Sequence, residues 1–265
     1  MTYYKLFIIS IWFFLITTSC SRESTEILFK TGQDLWSKGE IEKSLSTFLN
    51  IVERYPDSDL YDDALFKVGE LYYLSYSDFS NAIKYFRQLI HTDNIRIKLK
   101  YQAQSYIAEI YENSLNDYDM AIIEYQRLIN NFENWISPDA GQFKIAKCYF
   151  KKADYKQAIV EYEILVERFP VSHLVEESIY QMVTSNFILG NCSKAVDKYN
   201  KFKEKFPESR FMSEIKFEIG SCYEEEGNLL ESLNIFKQLK DYSNKKLLEM
   251  KIRSIEQRLA ARGRR

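Results

Sequence analysis

Glycine and proline are scarce here, eight and four among 265 residues. A turn-rich all-β fold needs far more of both, so the sequence argues against one. Four cysteines are too few to frame a chain of this length with disulfides. No charge of one sign dominates: the formal net charge is −2, which gives no whole-chain argument for nucleic-acid binding. Glycine-rich phosphate loops, His-Glu-x-x-His, Cys-x-x-Cys and nucleophile elbows are all missing, so the expectation is a chain that is not an enzyme and has no cofactor. His91 and His173 have no second ligand at metal spacing and read as surface or turn residues. The Glu224-Glu225-Glu226 run reads as a solvated helix end. What the chain does have is apolar residues, 46% of the total, including 20 Tyr and 18 Phe. That is enough to bury a substantial core.

These residues are periodic. A small residue, an aliphatic one and an aromatic recur six times at intervals of 37 to 39 residues: Ser44-Leu45-x-x-Phe48, Ala82-Ile83-x-x-Phe86, Ala121-Ile122-x-x-Tyr125, Ala158-Ile159-x-x-Tyr162, Ala195-Val196-x-x-Tyr199 and Ser232-Leu233-x-x-Phe236. A period of this length means stacked supersecondary units, each too small to bury its own apolar face. Four residues before each anchor stand Glu40, Asp78, Asp117, Asp154, Asn191 and Asn228. Asp and Asn accept hydrogen bonds from the free N–H groups of a helix start, so each anchor belongs to a helix, B, that begins just after this cap. Pro56, Pro170 and Pro207 lie twelve residues past their anchors and end three of the B helices.

A second amphipathic helix, A, precedes each B helix. Gly32, Ala146 and Gly220 lie twelve residues before the anchor, and Gly69 and Ala108 thirteen, which predicts one extra residue in the inter-helix turns of the second and third units. Val183 takes the place in the fifth. Small residues on A facing small residues on B describe antiparallel pairs that cross closely. The pairs are expected over 25–55, 60–94, 96–133, 137–169, 174–206 and 211–243.

Gly or Ala on helix A, Tyr149 and Tyr223 three residues later, the Ala-then-aromatic of helix B and a closing proline resemble the tetratricopeptide repeat (TPR). The resemblance covers residues 25 to 244. It implies an all-α, right-handed superhelix (an α-solenoid) of about six antiparallel helix pairs, followed by a C-terminal capping helix. The endings Tyr55-Pro56-Asp57-Ser58, Phe169-Pro170-Val171-Ser172 and Phe206-Pro207-Glu208-Ser209 are more particular. They resemble the bacterial envelope subfamily that includes the BamD-like outer-membrane assembly lipoproteins and the periplasmic adaptors of the Tol–Pal system.

The N-terminus fits that setting. Lys5 precedes Leu6 to Ile16, an almost wholly apolar run of eleven residues. This is too short to cross about 30 Å of hydrocarbon as a helix but suits the core of a signal peptide. Thr17, Thr18, Ser19 and then Cys20 resemble the lipidation box of bacterial lipoproteins. The resemblance implies a signal peptide over 1–19, a lipidated Cys20 opening a short linker over 20–24, and a chain tethered to the outer membrane facing the periplasm. Ser21 follows the cysteine where an Asp would retain the protein at the inner membrane.

In TPR superhelices helix A lines the groove. Phe29, Phe66, Ser105, Phe143, Tyr180 and Phe217 share one register there. Seven residues on, two turns along the same face, lie Trp36, Tyr73, Glu112, Phe150, Phe187 and Glu224. The candidate partner-binding row is therefore Phe29, Trp36, Phe66, Tyr73, Phe143, Phe150, Tyr180, Phe187 and Phe217, turning polar in the third unit. Such rings suit capture of an apolar peptide or protein segment. The alternative is that they pack between neighbouring helices. Partners are expected to be envelope proteins or peptides, with the membrane reached through the lipid, and neither nucleic acid nor a small-molecule substrate.

Residues 245–265 carry eight basic and two acidic residues, with Leu248, Ile252, Ile255 and Leu259 at helical spacing. The segment reads as a polar helix capping the solenoid, or as a dock for an acidic or anionic-lipid surface. Cys148 and Cys222 occupy equivalent positions two units apart, too distant to bridge, and read as buried apolar residues. Cys192 stands where Phe79, Tyr118 and Tyr155 open other B helices, so it reads as packing.

Overall fold

The computed structural model describes residues 24–239 and 241–262, so the signal peptide and Cys20 lie outside the described residues. Within them the chain is all-α, an α-solenoid of helix pairs divided into two compact units, one ending at Trp135 and the other beginning at Ile136. The first unit holds α1 (24–37), α2 (Ile41–Arg54), α3 (Tyr61–Leu74), α4 (Phe79–His91), α5 (Ile97–Glu109) and α6 (Tyr118–Asn131). The second holds α7 (Pro138–Lys151), α8 (Tyr155–Arg168), α9 (Val175–Ile188), α10 (Cys192–Lys205), α11 (Met212–Glu225), α12 (Leu229–Gln238) and the terminal α13 (Lys245–Arg262). Odd-numbered helices up to α11 are the A helices and their even-numbered successors the B helices. No described helix is long and apolar enough to cross a membrane.

Cores form between successive pairs, because a single pair cannot cover its own apolar stripe. Phe48 and Ile51 of α2 pack on Ala64, Val68 and Leu71 of α3. Phe86 and Leu89 of α4 meet Leu99, Ala103 and Ile107 of α5. In the second unit Tyr162 and Leu165 of α8 pack with Val175 and Met182 of α9, and Phe202 of α10 with Ile215 and Ile219 of α11.

Close crossing within a pair has a more specific cause than two small residues face to face. The space beside Gly32, Gly69 and Gly220 is filled by the rings of Phe48, Phe86 and Phe236, each four residues past its anchor. Where Ala108, Ala146 or Val183 replaces the glycine, the ring is that of Tyr125, Tyr162 or Tyr199. The two serine anchors add a bond that alanine cannot: buried Ser44 donates to the Gly32 carbonyl at 2.8 Å and Ser232 to the Gly220 carbonyl at 2.7 Å.

Helix ends follow the expected caps in part. Asp78, Asp117 and Asp154 accept from the N–H groups of Asn81, Met120 and Gln157. Asn191 and Asn228 make no such side-chain bond. Their backbone bends more tightly, with ψ of 57° and 60° against 70° to 80° at the three aspartates. A further feature is common to all six turns, with or without a side-chain cap. The residue before each cap position (Gly39, Ser77, Asn116, Ala153, Gly190 and Gly227) is left-handed, with φ between 53° and 80°. That bend aims the next N–H back at helix A, as in Asn191 to the Asn186 carbonyl and Asn228 to the Tyr223 carbonyl, both at 2.8 Å.

The extra residue of the second pair lies in the turn after α3, where 75–78 are four residues against three in every other pair, and that of the third pair lies in the last turn of helix A. Tyr76 N–H reaches the Leu71 carbonyl and Leu115 N–H the Ile110 carbonyl, one residue beyond α-helical spacing. In the third pair this widened turn is a π-helix, Ile110–Ser114. Between pairs, Ser58, Ser172 and Ser209 accept from the N–H two residues on, while Ser58 also donates to Thr25 and Ser172 to Asp139. The fourth proline, Pro138, opens α7, where its missing N–H costs nothing.

Candidate partner-binding surface

The aromatic row divides between the two units, and none of its nine rings is exposed. In the first unit, Phe29 meets Phe48 edge-on at 5.3 Å, and Phe66, only 6% exposed, packs on Phe86 and Tyr106. Tyr73 lies against Phe79 and Tyr106. Trp36 borders open surface: an open depression of about 390 Å³ is lined by Gln33, Trp36, Ser37 and Lys67, with the Lys67 ammonium 5.4 Å from the indole centroid. Lys67 is held there by Glu70 at 2.6 Å. Glu70 in turn accepts from the Tyr106 hydroxyl, and burial with that carboxylate pushes the phenol up to about 12.

The second unit repeats the theme with different partners. Phe143 packs on Tyr162 and Phe150 on Tyr155. Phe187 lies against the core of Val183, Phe202 and Ile219. Tyr180 stacks on Phe211 at 4.5 Å, and Phe217 stacks on Tyr242 at 4.3 Å. The seam is acidic: half-buried Glu218 accepts from the Thr184 hydroxyl at 2.9 Å, linking α9 to α11. Burial, reinforced by Glu214, pushes the Glu218 carboxyl up to about 7. The row is thus first an inter-helix seam.

The third pair does not present Glu112 to a groove. The carboxylate is 1% exposed and accepts from the Tyr125 hydroxyl at 2.5 Å, because the widened turn at Ile110–Ser114 rotates it into the pair. Ser105 bonds back to the Tyr101 carbonyl. Nearby, buried Glu124 gathers Gln104, Arg87 and Arg127, three donors that a carboxylate out of water requires.

Three sequence expectations need correction. Glu224 is not a solvated residue: its two oxygens take Lys251 and Arg258 of α13, each at 2.7 Å. Those pairs, with Leu248 and Ile255 buried on α12, seat α13 as the cap of the array. Cys192 and Cys222 are not simple packing residues but a disulfide joining the first turn of α10 to the last turns of α11, with Cα atoms 5.3 Å apart. Cys148 remains a buried free thiol. Spacing could have hinted at the disulfide, since a cysteine replaces the ring that opens other B helices one pair before a second cysteine. His91 and His173 are exposed, and among the described residues no three His, Cys, Asp or Glu side chains could hold a metal ion.

The tetratricopeptide-repeat sequence family matches residues 26–58, 63–93, 102–134 and 140–172. No curated protein matches the sequence. Among solved structures, a TPR protein from Parabacteroides merdae superimposes with a TM-score of 0.51 at 13% identity, over 88% of this chain and 99% of that one. YrrB, described as a TPR protein with an unusual peptide-binding site, gives 0.52 at 13% identity, over 78% of this chain and 97% of that one. MamA gives 0.50 at 18% identity, over 70% and 93%. At these identities the likeness is one of fold.

Proposed function

We propose that this chain, a TPR-repeat scaffold for protein–protein interaction, is lipid-anchored through Cys20 in a bacterial envelope and serves outer-membrane protein assembly in the BamD-like manner. The carrying observation is the pairing, in one chain, of Cys20 behind the apolar run 6–16 with the Cys192–Cys222 disulfide. Disulfides persist in oxidising compartments such as the periplasm and are rare in reducing cytosol. The disulfide supports an exported chain independently of the signal-peptide pattern. One acyl chain is a marginal anchor. The three that bacterial lipoproteins carry, by the resemblance, hold a protein stably.

Partners dock along the A-helix face of each unit, where the Trp36–Lys67 depression supplies an indole beside a fixed ammonium. Trp and Lys together favour a segment with an apolar side chain next to a carboxylate. The unbroken spacing of the six pairs favours a second reading, a periplasmic adaptor for Tol–Pal or cell-wall machinery.

Cross-linking followed by purification from native membranes tests both readings. Recovery of a β-barrel assembly protein, lost in Trp36→Ala with Lys67→Glu, supports the first; recovery of Tol or peptidoglycan-synthesis proteins replaces it with the second. Fatty-acid labelling that persists in Cys20→Ser would rule out the anchor.

A further inference from the structure

The junction between α10 and α11 differs from the other contacts between successive pairs. Eight of the fourteen residues of α10 are exposed, against four of fourteen in α8, the preceding B helix. Seven of those fourteen are charged: Lys194, Asp197, Lys198, Lys201, Lys203, Glu204 and Lys205. The buried residues of α10 are Cys192, Ala195 and Phe202. The ring that opens other B helices, seen as Phe79 against Tyr73 and Tyr155 against Phe150, is absent, and Cys192 stands in its place. Cys192 therefore substitutes a covalent tie to α11 for the burial of an aromatic side chain.

We propose that Cys192 and Cys222 are an oxidative stapling site, acted on by a disulfide-bearing oxidant, and that close docking of α10 on α11 depends on the staple. Of the two cysteines Cys192 is the less buried, 7% exposed against 0% for Cys222. It is also the first residue of α10, where the helix N-terminus favours a thiolate, against the opposing Glu225 carboxylate 4.0 Å from its sulfur. In the dithiol form Cys192 attacks one sulfur of the oxidant's disulfide and expels the other as a thiolate. Cys222 then attacks the Cys192 sulfur of the mixed disulfide, and the second oxidant thiolate leaves. Two protons pass from the cysteine thiols to the departing thiolates; the dithiol loses two electrons and the oxidant's disulfide gains them. Cys222 is covered when α10 is docked, so the second step takes place while the junction is open and closes it.

Whether Cys20 is lipidated does not enter this proposal, which needs only the chain and an oxidant. The staple closes a loop between residues 30 apart, and loop-closure entropy for that length corresponds to roughly a 500-fold shift in the opening equilibrium of the enclosed segment. Hydrogen exchange on the full chain, with and without a phosphine reductant, measures it. Reduction is expected to speed exchange of slowly exchanging amides in α10 and α11 by tens- to several-hundredfold, while α7 and α8 change less than twofold. Cys192→Ser with Cys222→Ser should reproduce the reduced pattern without reductant. The reductant arm stands alone where that variant fails to fold.

Thiol counting checks the bond directly. The unlipidated chain has four cysteines, so in denaturant it should take up two alkylating groups unreduced and four reduced. Four alkylations without reductant, exchange in α10 and α11 unchanged within twofold, or uniform unfolding of the whole chain on reduction would each overturn the proposal.

Discussion

Gly69→Ala tests the packing rule that sets the spacing within each helix pair. A Cβ on residue 69 would lie 2.6 Å from Cε1 and 2.8 Å from Cδ1 of Phe86. Carbon atoms in contact sit about 3.5–4.0 Å apart, so about 1 Å must be found. The Phe86 ring cannot supply it cheaply. It is fully buried, stacked on Tyr106 with ring centres 5.2 Å apart, and backed by Phe66 at 5.6 Å. Tyr106 is itself tied to Glu70. Overpacking of this kind costs about 1–3 kcal/mol, while alanine in place of glycine inside a helix returns about 1 kcal/mol. The expected net loss is therefore about 0–2 kcal/mol. In a Phe86→Leu background the obstructing ring is gone, only the helix-propensity gain remains, and the same substitution should stabilise by about 0.5–1 kcal/mol. All three tryptophans, Trp12, Trp36 and Trp135, precede residue 136, so fluorescence during urea titration follows the first unit alone. If Gly69→Ala stabilises both backgrounds equally, glycine is not what admits the ring, and the rule fails.

Ala153 holds φ of +63° without being glycine. A left-handed alanine costs about 1–2 kcal/mol, so Ala153→Gly should raise stability by roughly 0.5–1 kcal/mol after glycine's entropy loss, and Gly190→Ala should lower it by a similar amount; thermal melts decide both. Glu218 has its carboxyl raised to about 7 in the fold, so the neutral form is favoured there. Its contribution is fully present below the ordinary carboxylate range and is lost as pH rises through 7. Between pH 5 and pH 8 the second unit should therefore lose on the order of 2 kcal/mol that Glu218→Gln retains, measured by hydrogen exchange in α9 and α11; a parallel pH slope in both proteins would count against it. Ser44→Ala removes the buried bond to the Gly32 carbonyl and should cost about 0.5–1.5 kcal/mol in the same fluorescence titration.

What could be read from the sequence follows from the reach of each interaction. Anchors, aspartate caps and closing prolines act within one turn or one pair, so their spacing alone places the helices to within a few residues. The aromatic row falls on the A helices for the same reason. Its burial is legible only as the alternative, because the rings covering it come from elsewhere: Tyr106 from the next A helix, Phe211 from the start of α11, and Tyr242 from beyond the last pair. Longer reach explains the other misses. Glu224 looks solvated in the run Glu224–Glu226, yet its partners lie 27 and 34 residues on. Comparing cysteines at equivalent repeat positions correctly separates Cys148 from Cys222. It cannot find Cys192, because stacking brings the first turn of one B helix beside the last turns of the next A helix, joining two different repeat positions. In a solenoid, then, the period predicts each unit while unlike positions on adjacent units decide how they join. Residues that break the pattern at those positions, as Cys192 does, mark where one pair joins the next by a contact the period does not predict.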